Sequence, residues 1–180
     1  MYRLFVAIEL PERVKDRLLQ ICCGISAAKW FDETRLHLAL RFIGEVDGAV
    51  FRDVAEALGT IESEPFDLTV SGVGFFPPRG NPETLWAGIE RNESLVALHN
   101  RIESTLQRAG LPAGKRKFTP HIGLARLKQC PPEKVADFLT VNSLLKLEPF
   151  VVEEFCLYSS FLSSEKALHQ IEAEYPLTGK

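Results

Sequence analysis

A chain of 180 residues and 20.2 kDa is the size of one compact domain. Its 46% hydrophobic and 25% charged residues exclude a disordered or collagen-like chain. A net charge of −3 and a pI near 5.9 exclude a broadly basic surface for long duplex nucleic acid, but not a small anionic ligand held by a few local cations.

Residues 2–10 read as a strand, with Leu4, Val6 and Ile8 on one face and Phe5, Ala7 and Glu9 on the other. Pro11 suits the first turn of a helix carrying Val14, Leu18, Ile21, Cys22 and Ile25. Period two returns over residues 35–43. Asp47 is a predicted N-cap for a helix whose stripe is Val50, Val54, Ala57, Leu58 and Ile61.

Strands are predicted at 66–73 and 84–90, separated by a Pro- and Gly-rich loop at 74–82. Leu95, Leu98, Ile102 and Leu106 mark a third helix, closed by Gly110 and Pro112. A basic loop, Lys115-Arg116-Lys117, leads to a strand at 118–126. Pro131 and Pro132 open a short helix with Val135 and Phe138, and strands at 150–161 and 169–175 form a hairpin across Ser163 and Ser164. The order is not a strict alternation of strand and helix, so an α+β fold with antiparallel sheet is expected.

No apolar run reaches the ~18 residues of a spanning helix. The run from Leu4 to Ile8 is too short for a signal peptide, so a cytoplasmic protein without a membrane partner is expected. The four cysteines lack any CxxC spacing and read as buried, reduced, inert thiols; no metal site is expected.

The informative feature is an echo: His37-Leu-Ala-Leu and His121-Ile-Gly-Leu stand 84 residues apart, near half the chain. Strict alternation puts Leu36, Leu38, Leu40 and Phe42 in the core and leaves His37, Ala39 and Arg41 on the other face. In the second strand Thr119, His121 and Gly123 share a face against Ile122 and Leu124. A duplicated lobe would bring these two faces together across a groove. The commoner meaning of one strand histidine is a satisfied packing residue; the echo raises the sharper reading. Two imidazoles flanking one phosphorus suit phosphodiester cleavage, which needs a base for the attacking oxygen and an acid for the leaving one. Arginines would grip the phosphate through forked hydrogen bonds. Arg41 shares the His37 face, whereas Arg126 has the wrong parity and reaches the site only through a bulge or a strand end. His99 and His169 read as solvated residues outside the site.

At these residues the sequence resembles the two-histidine phosphoesterase superfamily, and within it the bacterial RNA 2',3'-cyclic phosphodiesterase (2'-5' RNA ligase) family. The likeness runs through Arg3-Leu-Phe-Val-Ala-Ile, His37-Leu-Ala-Leu-Arg-Phe-Ile-Gly-Glu-Val, Leu85-Trp-Ala-Gly, Phe118-Thr-Pro-His-Ile-Gly-Leu-Ala-Arg and Leu157-Tyr-Ser-Ser. The resemblance implies one two-lobed α+β phosphoesterase domain over residues 1–180, with pseudo-symmetric antiparallel sheets around a central cleft and helices outside. It implies His37 as proton donor, His121 as proton acceptor and Arg126 on phosphate; Arg41, from its place on the His37 face, and Thr119, from its place on the His121 face, are the further phosphate contacts read from the residues themselves. The substrates expected are RNA ends or small nucleotides bearing a 2',3'-cyclic phosphate, hydrolysed to 2'-phosphomonoesters; a monomer acting without cofactor or metal is expected.

The chain departs from the family pattern twice in the same way. Ala39 and Gly123 stand where the family has a phosphate-binding threonine or serine. Losing one preorganised donor costs about 10²–10³-fold in rate, so activity is expected to be reduced unless Thr119 or water substitutes. The missing hydroxyls leave open a non-catalytic nucleotide-binding module, and a different small cyclic phosphate is also open. The basic run at 115–117 could steer an RNA strand or be a solvated loop. Phe42, Phe76 and Phe118 could stack a base, with Phe42 expected in the core instead.

Overall fold

The computed structural model describes residues 1–179. Among the described residues, ten strands and four helices follow the order β1 (Tyr2–Glu9), α1 (Glu12–Ile21), β2 (Ala28–Trp30), β3 (His37–Val46), α2 (Gly48–Leu58), β4 (Phe66–Leu68), β5 (Val70–Phe76), β6 (Thr84–Ile89), α3 (Glu93–Arg108), β7 (His121–Leu127), α4 (Pro132–Val141), β8 (Phe150–Val152), β9 (Glu154–Leu162) and β10 (Ala167–Pro176). A 3-10 turn, Glu33–Arg35, precedes β3. Asp47 caps α2 as expected, its carboxylate accepting the Val50 N–H at 2.9 Å. Asn92 does the same for α3 through the Leu95 N–H, and its amide also donates to the Asp67 carbonyl at 2.7 Å.

The fold is α+β. The strand pairings are antiparallel, in the order β10-β9-β1-β3-β7-β6-β5 with β2 also on β7, and β4 pairs separately with β8. The main sheet has two halves, each led by one of the echoed strands. Among the described residues they join through one pair, Leu38↔Ile122. On one face the helices bury an aliphatic core that includes Leu4, Val6, Ile8, Leu38, Ile122 and Leu124, each at 1% exposure or less. Burying each such side chain contributes about 1.5–3 kcal/mol. On the other face of the first half, Phe5, Ala7, Cys156 and Tyr158 form a separate small cluster.

Several expectations need correction. The strand predicted at 66–73 is broken after Leu68, and its second part runs on to Phe76, shortening the loop. The strand predicted at 150–161 breaks at Glu153. β2 was not expected, because three residues carry too little period to read. Cys156 is buried, but Cys22 and Cys130 are half-buried and Cys23 is exposed.

Two bulges matter most for function. Between Val6 and Ala7 the β3 partner jumps from Arg41 to Ala39, leaving Leu40 as the extra residue. Between Leu85 and Trp86 the β7 partner jumps from Ala125 to Gly123, leaving Leu124 as the extra residue. One extra residue reverses which face every later side chain takes. Arg41 therefore falls on the core side opposite Val6, and Phe42 falls on the cleft side opposite Phe5, 69% exposed rather than buried. Arg126 by the same reversal joins the face of His121, opposite Thr84.

Candidate active site

His37 and His121 are the first residues of β3 and β7, each one position before the pair that joins the halves. Carried one residue either way, that antiparallel register sets His37 across from Gly123 and His121 across from Ala39. All four lie on the face opposite the fully buried Leu38 and Ile122. The two imidazoles are diagonal neighbours, a relation that sheet geometry sets at about 7–8 Å.

Each ring sits in a distinct setting. His121 Nδ1 lies 2.7 Å from the Thr119 carbonyl oxygen. A carbonyl only accepts, so Nδ1 carries a proton and, in the neutral ring, the lone pair is on Nε2. Phe76 meets this ring edge-on at 4.9 Å and Trp86 lies at 6.2 Å. His37 lies on Phe5 at 5.0 Å and near Tyr158 at 5.8 Å, with the His169 ring against it at 5.3 Å and 81°. Burial above all, then the nearby His169, Arg35 and Lys15, push the His37 pKa down to about 3. A cavity of about 270 Å³ beside this ring is lined by Glu9, Lys15, Glu33, His37, Tyr158 and His169, among others.

The other expected residues divide. Arg126 is exposed on the face of His121, as its proposed contact with phosphate requires. Arg41 is turned away: its Nε pairs with Glu103 Oε1 at 2.5 Å, and its guanidinium also donates to the Pro112 carbonyl. Thr119 touches the His121 ring through its backbone carbonyl. Phe76 is beside His121, whereas Phe118 is covered by the His99 ring at 3.9 Å. His99 is thus half-buried between Phe118 and Glu103 of its own helix, not solvated. Lys115, Arg116 and Lys117 are exposed. Among the described residues, no group of three or more His, Cys, Asp or Glu side chains is placed to hold a metal ion.

A model of the 2'-5' RNA ligase superfamily matches residues 5–160 of the chain. The chain belongs to this superfamily. The RNA 2',3'-cyclic phosphodiesterase of Thermotoga maritima is 30% identical over 185 residues, spanning 98% of this chain and 96% of its own. The protein of the same name from Archaeoglobus fulgidus is 29% identical over 171 residues, spanning 93% and 96%. In fold, TT0787 of Thermus thermophilus matches with a TM-score of 0.83 at 26% identity over 99% of both chains. Escherichia coli LigT in its complex with 3'-AMP matches with a TM-score of 0.80 at 24% identity over 98% of both.

The 2'-5' RNA ligase superfamily match stops at residue 160, ahead of β10, which carries a residue that sequence reasoning left outside the site. His169 pairs with Ser160 across the hairpin and lies against both His37 and Phe5, so it is packed rather than solvated. Its Nδ1 is buried without a hydrogen-bond partner among the described residues. Hairpin register counted from Ser163 would have placed it on the Tyr158 face. Trp86 was missed too. Its ring lies over Gly74, where any Cβ would overlap it, and its Nε1 is buried without an acceptor among the described residues. Arg35 was read only as the start of a strand, although it shares parity with His37.

Proposed function

We propose that this protein is a hydrolase that opens the 2',3'-cyclic phosphate ends of RNA or small nucleotides to 2'-phosphomonoesters. In this reading the whole chain acts as one two-lobed domain, as a cytoplasmic monomer using acid and base side chains without a resident metal or cofactor. His121 Nε2 takes a proton from water as the water oxygen bonds to phosphorus. The bond from phosphorus to the 3'-oxygen breaks, and His37 gives that oxygen a proton. Arg126 holds the non-bridging oxygens. A 5'-hydroxyl attacking in place of water would leave a 2'-5' bond, a weak ligase activity from the same site.

The observation that carries the proposal is the pair of histidines at the heads of two joined strands, with the Thr119 carbonyl accepting from His121 Nδ1. The full-length relatives named RNA 2',3'-cyclic phosphodiesterase support the substrate class. His37 is neutral while the cleft is empty, because its pKa lies near 3. A phosphate anion beside it favours the imidazolium, so substrate binding itself charges the acid.

The test is turnover of a nucleoside 2',3'-cyclic phosphate with EDTA present. Activity retained in EDTA and lost in both His37→Ala and His121→Ala is the expected result. Inactivation by EDTA alone would overturn the metal-independent mechanism. The absent hydroxyls at 39 and 123 favour a second reading, a binding module. Micromolar binding of a cyclic mononucleotide by calorimetry without turnover would establish that instead.

A further inference from the structure

Gly123 is not an empty position. A Cβ built there would lie 3.0 Å from Phe31 Cε2, so the Phe31 ring already takes the space a motif side chain would use. Phe31 is anchored there by its own backbone, whose N–H donates to the Leu124 carbonyl of the bulge at 2.8 Å. On that ring lies the Arg35 guanidinium, its Cζ 3.9 Å from the ring centroid. Residues 31–36 cross from β2 in one half of the sheet to β3 in the other, so Arg35 sits where the halves meet. Its Nε is buried with no acceptor among the described residues.

We infer that Arg35, stacked on Phe31, is a phosphate-binding residue that replaces the missing motif hydroxyl at position 123. This rests on the hydrolase reading and deepens it. Glycine at 123 admits the ring, the ring sets the plane of the guanidinium, and the guanidinium presents forked donors that match two phosphate oxygens. A buried donor without an acceptor is a standing cost that an anionic oxygen removes. The charges agree with this placement. Burial first and then Arg126 hold the Arg35 pKa below its ordinary value, and Arg35 is among the groups that keep His37 neutral. A phosphate between Arg35 and Arg126 relieves their repulsion. Asp32 flanks the turn and acts on Arg35 in the opposite direction, while its carboxylate accepts from Lys166 Nζ at 2.6 Å.

The experiment compares wild type, Arg35→Ala, Arg35→Gln and Arg35→Lys, with melting temperatures as a check on folding. Inorganic phosphate is titrated by calorimetry and a nucleoside 2',3'-cyclic phosphate is turned over. Arg35→Ala and Arg35→Gln are expected to bind phosphate at least tenfold more weakly and to lose about 10²–10³-fold in kcat/KM. Arg35→Gln keeps the stem, so a loss there at an unchanged melting temperature is not a folding defect. Arg35→Lys keeps the charge but not the fork, and is expected to recover only part. Gly123→Thr, whose Cβ meets the Phe31 ring, is expected to lower activity by displacing the ring from under Arg35. Phosphate affinity and turnover within twofold of wild type in Arg35→Gln would overturn the inference. A wild type that binds phosphate through Arg35 but never turns over would instead sink the hydrolase reading alone.

Discussion

Leu40 and Leu124 occupy the same place in the two halves of the sheet: each is the extra residue of a bulge, three positions after its strand's histidine. Up to that point both strands keep strict alternation, and beyond it both reverse. The bulge is what separates the two arginines. Arg41 is sent to α3 and Arg126 to the cleft, the opposite of what alternation implies.

These placements give opposite phenotypes. Arg126→Ala is expected to lower kcat/KM by about 10²-fold or more, as for loss of one preorganised donor, with little change in melting temperature. Arg41→Ala removes the main partner of Glu103, which keeps the Gly114 N–H and His99, and is expected to cost about 1.5–3 kcal/mol of stability while kcat stays near wild type. Chemical denaturation beside steady-state kinetics separates the two.

Stability should fall in acid. The His37 pKa is depressed from 6.5 to about 3 in the folded chain, so between these values the unfolded chain binds the extra proton. The stabilisation from keeping this ring neutral is fully present above pH ~6.5 and is lost as pH falls toward 3, by at most about 1.4 kcal/mol per pH unit. His169 is lowered by burial in the same direction. Thermal melts from pH 7 to 4 are expected to show a shallower decline in His37→Asn than in wild type. Parallel curves would remove His37 as the source.

The same ring should make the two kinetic profiles differ. kcat/KM reports the free enzyme, in which His37 is held near 3, and kcat reports the complex, in which the substrate phosphate favours the imidazolium. The pH profiles of kcat and kcat/KM are therefore expected to differ. Coincident profiles would mean that bound phosphate does not charge His37.

Position 39 differs from position 123. Ala39 is paired with Ala7 on β1, and it already carries the Cβ that Gly123 lacks. Ala39→Thr adds a donor without displacing Phe31, and is expected to raise kcat/KM about tenfold or more, within the range of one such donor. No gain would mean that the phosphate sits out of reach of this strand.

Much of the fold was legible in the chain, because side-chain period is a local property. The alternation of Leu4, Val6 and Ile8, the Asp47 cap and the stripe from Leu95 to Leu106 each depend on residues within one or two turns of one another. The paired histidines were legible for the same reason, as two short patterns repeated at a distance. The bulges were not. A bulge is set by how a strand registers on its partner, so Leu40 and Leu124 look like ordinary core residues until β1 and β6 are laid beside them.

Residue order alone specified the two strands, their histidines and the lack of a hydroxyl at positions 39 and 123. Folding was needed to settle which of Arg41 and Arg126 shares a histidine's face, that His169 leans on His37, and that Phe31, with Arg35 stacked on it, fills the place above Gly123. Those relations join residues from separate strands and turns, and packing between distant segments leaves no periodic trace in either one.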